Sequence, residues 1–124
     1  MFSGLLDDLD GLVEDQARER LRARIQGLID KWSPVLGVRV KQWHLRTMRT
    51  YWGSTDPNRG KITFDAKLAG MSPAFIEITV VHELVHLVTK SGGHDDRFYA
   101  LMDKHVPNWR RLHDRYAGRM TPQS

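Results

Sequence analysis

Apolar residues recur through the first quarter of the chain at intervals of three and four. Phe2, Leu5, Leu6, Leu9, Leu12 and Val13 mark one amphipathic stretch, and Leu21, Ile25, Leu28 and Ile29 mark a second over Ala17 to Trp32. This spacing lines one side of a helix, so two helices are predicted, with Ser33-Pro34 closing the second. The period then shortens. Residues 37–45 and 48–53 are rich in β-branched and aromatic side chains and read as strands. STDPNRG, residues 54–60, is dense in turn formers, and KITFD, residues 61–65, reads as the next strand. Ser72-Pro73 joins an N-capping hydroxyl to a proline suited to the first helical turn. The helix it opens should run to Thr89 and stop at Gly92-Gly93, and two short helices, 95–104 and 108–116, complete the chain. Helices, then a small meander, then helices: the order specifies an α+β fold.

The helix from residue 73 to 89 has an unusual distribution of polar groups. On a wheel of about 100° per residue with Ile76 at zero, Val80, Val81, Leu84, Val85, Leu87 and Val88 fall between about 20° and 200°. Thr79, His82, Glu83 and His86 fill the remaining sector. A helix apolar over most of its circumference is buried, and buried ionisable groups are costly unless something compensates them. His82 and His86 stand one turn apart, so both imidazoles can reach one ion from the same side. Glu83 lies roughly 100° further round, within reach of a water on that ion. This is H-E-x-x-H, with His82 and His86 as zinc ligands and Glu83 as general base.

A catalytic zinc requires a third protein ligand and an open position. No glutamate follows Glu83, and the spacing H-E-x-x-H-x-x-G-x-x-H fails because Thr89 and Gly92 occupy the places of its glycine and third histidine. His94, just past a flexible Ser-Gly-Gly turn, is the leading candidate, ahead of Asp95, Asp96, Asp103, His105 and His113. Asp95 or Asp96 could equally orient a ligand imidazole or sit at a helix N-terminus.

Composition narrows the setting. The 124 residues form one domain, and without cysteine there are no disulfides and no thiolate metal sites. No stretch reads as a signal peptide or a membrane span, so a soluble cytoplasmic protein is expected. Residues 1–16 hold five acids (Asp7, Asp8, Asp10, Glu14, Asp15) and no Lys or Arg. The remainder holds all 19 basic residues against the other 10 acids, a balance of +9. We therefore divide the chain into an acidic amphipathic leader, 1–16, and a single domain, 17–124. The leader is expected to pack beside helix 17–32, or to lie over the substrate groove with Asp7 or Asp8 at the metal.

Five blocks together resemble the YgjP-like metallopeptidases, relatives of the SprT-like zinc proteases. They are MRTYWGS (48–54), GKITFDAKLAGMSP (60–73), VVHELVHL (80–87), HDDRFYALMD (94–103) and VPNW (106–109), and the resemblance runs over residues 31–116. The first block in that family usually continues into cysteine where this chain has Thr55, and the strand block commonly ends in Asn where this chain has Asp65. The resemblance implies a zincin-like core, a small sheet backed by the metal-bearing helix. It also implies one zinc on His82, His86 and His94, with Glu83 as base, and a peptide or protein substrate. Strand 61–65 would offer its edge to an extended peptide.

Two further activities accompany the resemblance. Some YgjP-like proteins are described as metal-dependent nucleotide pyrophosphatases, and Arg39, Lys41, Arg46, Arg49, Arg59 and Lys61 are residues that could hold phosphate. Nucleic-acid association of the SprT type is the other. WHLRTMRTYW interleaves Trp43, His44, Arg46, Arg49, Tyr51 and Trp52, and WRR adds Trp109 to Arg111, a mixture suited to single strands. Aromatics at strand spacing are more often core.

Overall fold

The computed structural model describes the backbone of residues 2–115 and the side chains of residues 11–114. The amphipathic periodicity at the start is realised as one helix, α1 (Phe2–Leu36), rather than two. Leu21, Ile25 and Ile29, four residues apart, are its buried stripe and pack against the central helix. Pro34 lies within the last turn, where its missing N–H forfeits a single intrahelical bond. The helix therefore runs past Ser33-Pro34 and ends at Gly37, which takes φ 69° while the Val38 amide turns back to the Ser33 carbonyl at 3.0 Å.

Three strands follow, β1 (Gln42–Arg46), β2 (Gly53–Asp56) and β3 (Lys61–Asp65), in the order β1-β3-β2. β2 and β3 form an antiparallel hairpin across residues 57–60, and β1 lies parallel to β3. The sheet is thus mixed, not a meander, and β3 is its centre, with both edges paired. Residues 48–52 are not a strand. Trp52 is buried there, edge-on to Phe75 at 5.3 Å, so the aromatic content of that stretch serves the core instead of a ladder.

Ile62 and Phe64 of β3 point into the core, and the strand ends at the buried Asp65. The Asp65 carboxylate accepts from the amides of Lys67 (3.0 Å) and Met48 (3.4 Å), capping a 3₁₀ turn, Ala66–Gly70. Helix α2 (Pro73–Thr89) begins where expected, with the Ser72 hydroxyl accepting from the Phe75 amide at 3.2 Å. It is covered by α1, by β2, and by α3 (Asp96–His105), whose Phe98 and Met102 are buried. α4 (Trp109–Arg115) closes the described chain; Tyr116, the expected end of that helix, lies outside the described residues. Among the described residues no helix is long and apolar enough to cross a membrane.

Candidate metal centre

The helical wheel places His82, Glu83 and His86 on one strip, and the fold buries that strip: the three are no more than 1% exposed. Thr79, on the same strip, returns its hydroxyl to the Phe75 carbonyl at 2.8 Å. His94 comes from the loop between α2 and α3, and its ring reaches within 4.9 Å of that of His82 and 5.1 Å of that of His86. One ligand nitrogen from each of the three imidazoles lies within 4.8 Å of the others, a group able to hold a metal ion. The Ser-Gly-Gly turn brings His94 back over the helix.

Two features fix the imidazoles. Phe98 of α3 lies under the cluster, stacked on His94 at 4.3 Å and on His86 at 5.0 Å, and edge-on to His82 at 4.9 Å. The end of α2 supplies the second. Lys90 adopts the left-handed conformation (φ 53°), and the amides of Lys90 and Ser91 both turn back to the His86 carbonyl. This reversal aims the Ser91 carbonyl at Nδ1 of His86, 2.8 Å away. A carbonyl only accepts, so Nδ1 carries the hydrogen and Nε2 keeps its lone pair for a ligand bond. For His86 the orienting contact thus comes from the backbone and not from Asp95 or Asp96. Asp95 instead caps α3, accepting from the Phe98 amide at 3.0 Å, and Asp96 is an exposed residue of the first turn.

Glu83 faces the cluster from the other side. Gly53 of β2 packs directly on it: a Cβ built there would stand 2.9 Å from the Glu83 Cγ. The Thr55 hydroxyl lies 2.7 Å from Glu83 Oε1 and 3.2 Å from the Glu83 carbonyl oxygen. Oε2 is buried without a hydrogen-bond partner, 3.9 Å from Nε2 of His82. Burial drives the Glu83 carboxyl up to about 8, partly offset by the Thr55 hydrogen bond. Burial likewise pushes His86 down to about 4 and His82 well below its ordinary value. The 3.9 Å contact therefore joins two neutral groups and is no ion pair. Three imidazoles beside one buried carboxyl oxygen that lacks a partner suit a cation and a water, since both would satisfy groups otherwise costly to bury.

Residues weighed as further ligands have other tasks. Asp103 accepts from Trp109 Nε1 at 2.8 Å, joining α3 to α4, and His105 lies edge-on to Trp32 at 5.8 Å. His113 lines a cavity of about 240 Å³ that opens beside His82 and His94, together with Phe98, Tyr99, Trp109 and Arg110. Trp43, Trp52 and Trp109 are taken up in packing, Trp52 and Trp109 being buried and Trp43 lying edge-on to Phe64. Thr55 and Phe98 were not assigned a role from sequence. Thr55 had a signal only in its departure from the resembled family, and Phe98 only in its helical spacing to Met102.

A comparison with curated proteins gives no match. Among solved structures, the chain is similar to the metallopeptidase zymogen abylysin of Pyrococcus abyssi, with a TM-score of 0.70 and 19% identity over 78% of this chain and 98% of that one. At that identity the likeness is one of fold, and it agrees with a zincin-like α+β core. A family model described as the YgjP-like metallopeptidase domain matches residues 5–117. Coverage of nearly the whole chain, with the H-E-x-x-H helix at its centre, shows that the protein belongs to the YgjP-like metallopeptidase family.

Proposed function

We propose that the protein is a zinc-dependent peptidase, with one zinc on His82, His86 and His94 and with Glu83 as general base. The observation that carries this reading is the three-histidine cluster set against the partnerless Oε2 of a buried glutamate. Three imidazoles with no thiolate nearby suit zinc, which keeps a position open for catalysis. When bound, the metal supplies Lewis acidity toward a water and a substrate carbonyl. Glu83 takes a proton at Oε2 as the water attacks the peptide carbonyl, then returns it to the departing nitrogen. A C–O bond forms, the C–N bond breaks, and the carboxylate ends the cycle ionised. A cation held by the three imidazoles would favour that ionised form against the pull of burial.

The cavity of about 240 Å³ beside His82 and His94 would receive a residue flanking the scissile bond. Because β3 has both edges paired, an extended substrate would add at the outer edge of β2, next to Glu83. A cytoplasmic setting is part of the same proposal.

Metal analysis of purified variants tests the assignment. His82→Ala, His86→Ala and His94→Ala should each lose bound zinc, and stoichiometric metal in any of them would refute that ligand. Glu83→Gln should keep its zinc and cleave a quenched peptide pool at least about 100-fold more slowly. Incubation with nucleoside triphosphates decides the reaction class: cleavage of these alone overturns the peptidase reading.

A further inference from the structure

We infer that Thr55 is a positioning residue that fixes which oxygen of Glu83 does the chemistry, with Gly53 clearing the space in which the carboxylate lies. The inference rests on the reading of Glu83 as base and adds how that base is held. A hydroxyl has one hydrogen, and the geometry offers it two acceptors, Glu83 Oε1 at 2.7 Å and the Glu83 carbonyl at 3.2 Å. The shorter contact, to the carboxylate, takes it. With Oε1 engaged, Oε2 is the oxygen left to face His82.

The clamp comes from a strand whose sequence looks unsuited to a sheet. Gly53, Ser54, Thr55 and Asp56 pair with Phe64, Thr63, Ile62 and Lys61, which fixes the register of β2 against α2. Gly53 and Thr55, two apart on the strand, therefore face Glu83 together. At Gly53 any side chain would strike the carboxylate, because a Cβ would lie 3.0 Å from both Cδ and Oε2. At Thr55 a thiol, the group usual there in the resembled family, would be a weaker donor than the hydroxyl. Glycine at one position and a hydroxyl at the other leave the carboxylate one orientation.

The test compares full-length, zinc-loaded Thr55→Val, Thr55→Ser and Glu83→Gln on one quenched peptide pool, with metal content and melting temperature measured for each. Valine keeps the branched shape and removes the donor; serine keeps the donor. Thr55→Val should lower kcat about 10- to 100-fold, the range for a hydrogen bond to a charged group, with KM and zinc content unchanged. Thr55→Ser should recover kcat to within about threefold of the parent. Adding Thr55→Val to Glu83→Gln should cost nothing more, because the clamp acts through the carboxylate. Crystals of metal-free Thr55→Val should show the Glu83 carboxylate turned from its parent orientation, a readout independent of turnover. If Glu83→Gln is slow and Thr55→Val is not, the clamp fails while the base stands. A serine variant as slow as valine would overturn it too, as would loss of zinc or of folding in Thr55→Val. If Glu83→Gln proves fully active, the reading of the base itself fails. The metal-free crystals then decide the clamp alone, and an unmoved carboxylate there would overturn it.

Discussion

Glu83 and its two helical neighbours set opposing pH dependences on the metal-free protein. The Glu83 carboxyl is raised from 4.5 to about 8 by burial. Between those values the unfolded chain has released a proton that the folded chain retains, so stability falls as pH rises through that window and levels above about 8. His86 is lowered from 6.5 to about 4, and His82 falls in the same direction. Below 6.5 the unfolded chain takes up protons that these folded imidazoles refuse, so stability falls as pH drops. Two histidines outweigh one glutamate where the windows overlap. The metal-free protein should therefore be most stable near pH 6.5, with a melting temperature that declines on either side. In metal-free Glu83→Gln the decline above that pH should disappear. Thermal melts of both proteins between about pH 4 and 9 check this; a parent whose melting temperature still climbs from 6.5 to 8 contradicts the buried, protonated Glu83.

Helix α2 owes its position to its two ends, and the ends differ in quality. Ser72 and Pro73 form a favourable start. The finish is strained, because Lys90 holds φ 53° where glycine would be unstrained. A left-handed non-glycine residue costs roughly 1–2 kcal/mol, whereas an exposed lysine at a helix C-terminus contributes about 0.3–1 kcal/mol through the dipole. Strain outweighs the dipole, so Lys90→Gly should raise the melting temperature by a few degrees and leave kcat unchanged. A lower melting temperature would show that the charge dominates. Sequence placed the last helical residue at Thr89, as found, but the reversal is made by Lys90 and not by Gly92-Gly93, since the chain must already turn for Ser91 to reach His86. β2 was missed for a related reason. Its residues, Gly-Ser-Thr-Asp, have turn character locally, and only pairing with β3 and contact with Glu83 make them a strand. The candidate ligands His82 and His86 were legible because helical periodicity alone sets one beside the other. Thr55 was not, because its partner lies 28 residues away on another element.

The long first helix changes what the acidic leader does to the molecule. Packing beside helix 17–32 would require the chain to reverse near residue 16, and α1 continues unbroken from Phe2 to Leu36. A straight helix carries residue 7 about 15 Å along the axis from residue 17. Residues 11–16 are all exposed, Leu12 at 57% and Val13 at 64%, so this part of the leader buries little apolar surface against the body. Residues 11–15 therefore contribute little hydrophobic stabilisation. A chain beginning at Gln16 should melt within about 2 °C of the parent, since a domain of this size shifts by a few degrees per kcal/mol. Its peptidase rate should also match the parent, because residues 11–16 line no part of the cavity beside His82 and His94. Greater activity on truncation would mean that the leader covers the site in solution. A melting temperature lower by more than about 5 °C would mean that it belongs to the core. The leader's five acids beside a body of +9 still make one difference measurable: without them the domain should elute from a cation exchanger at higher salt.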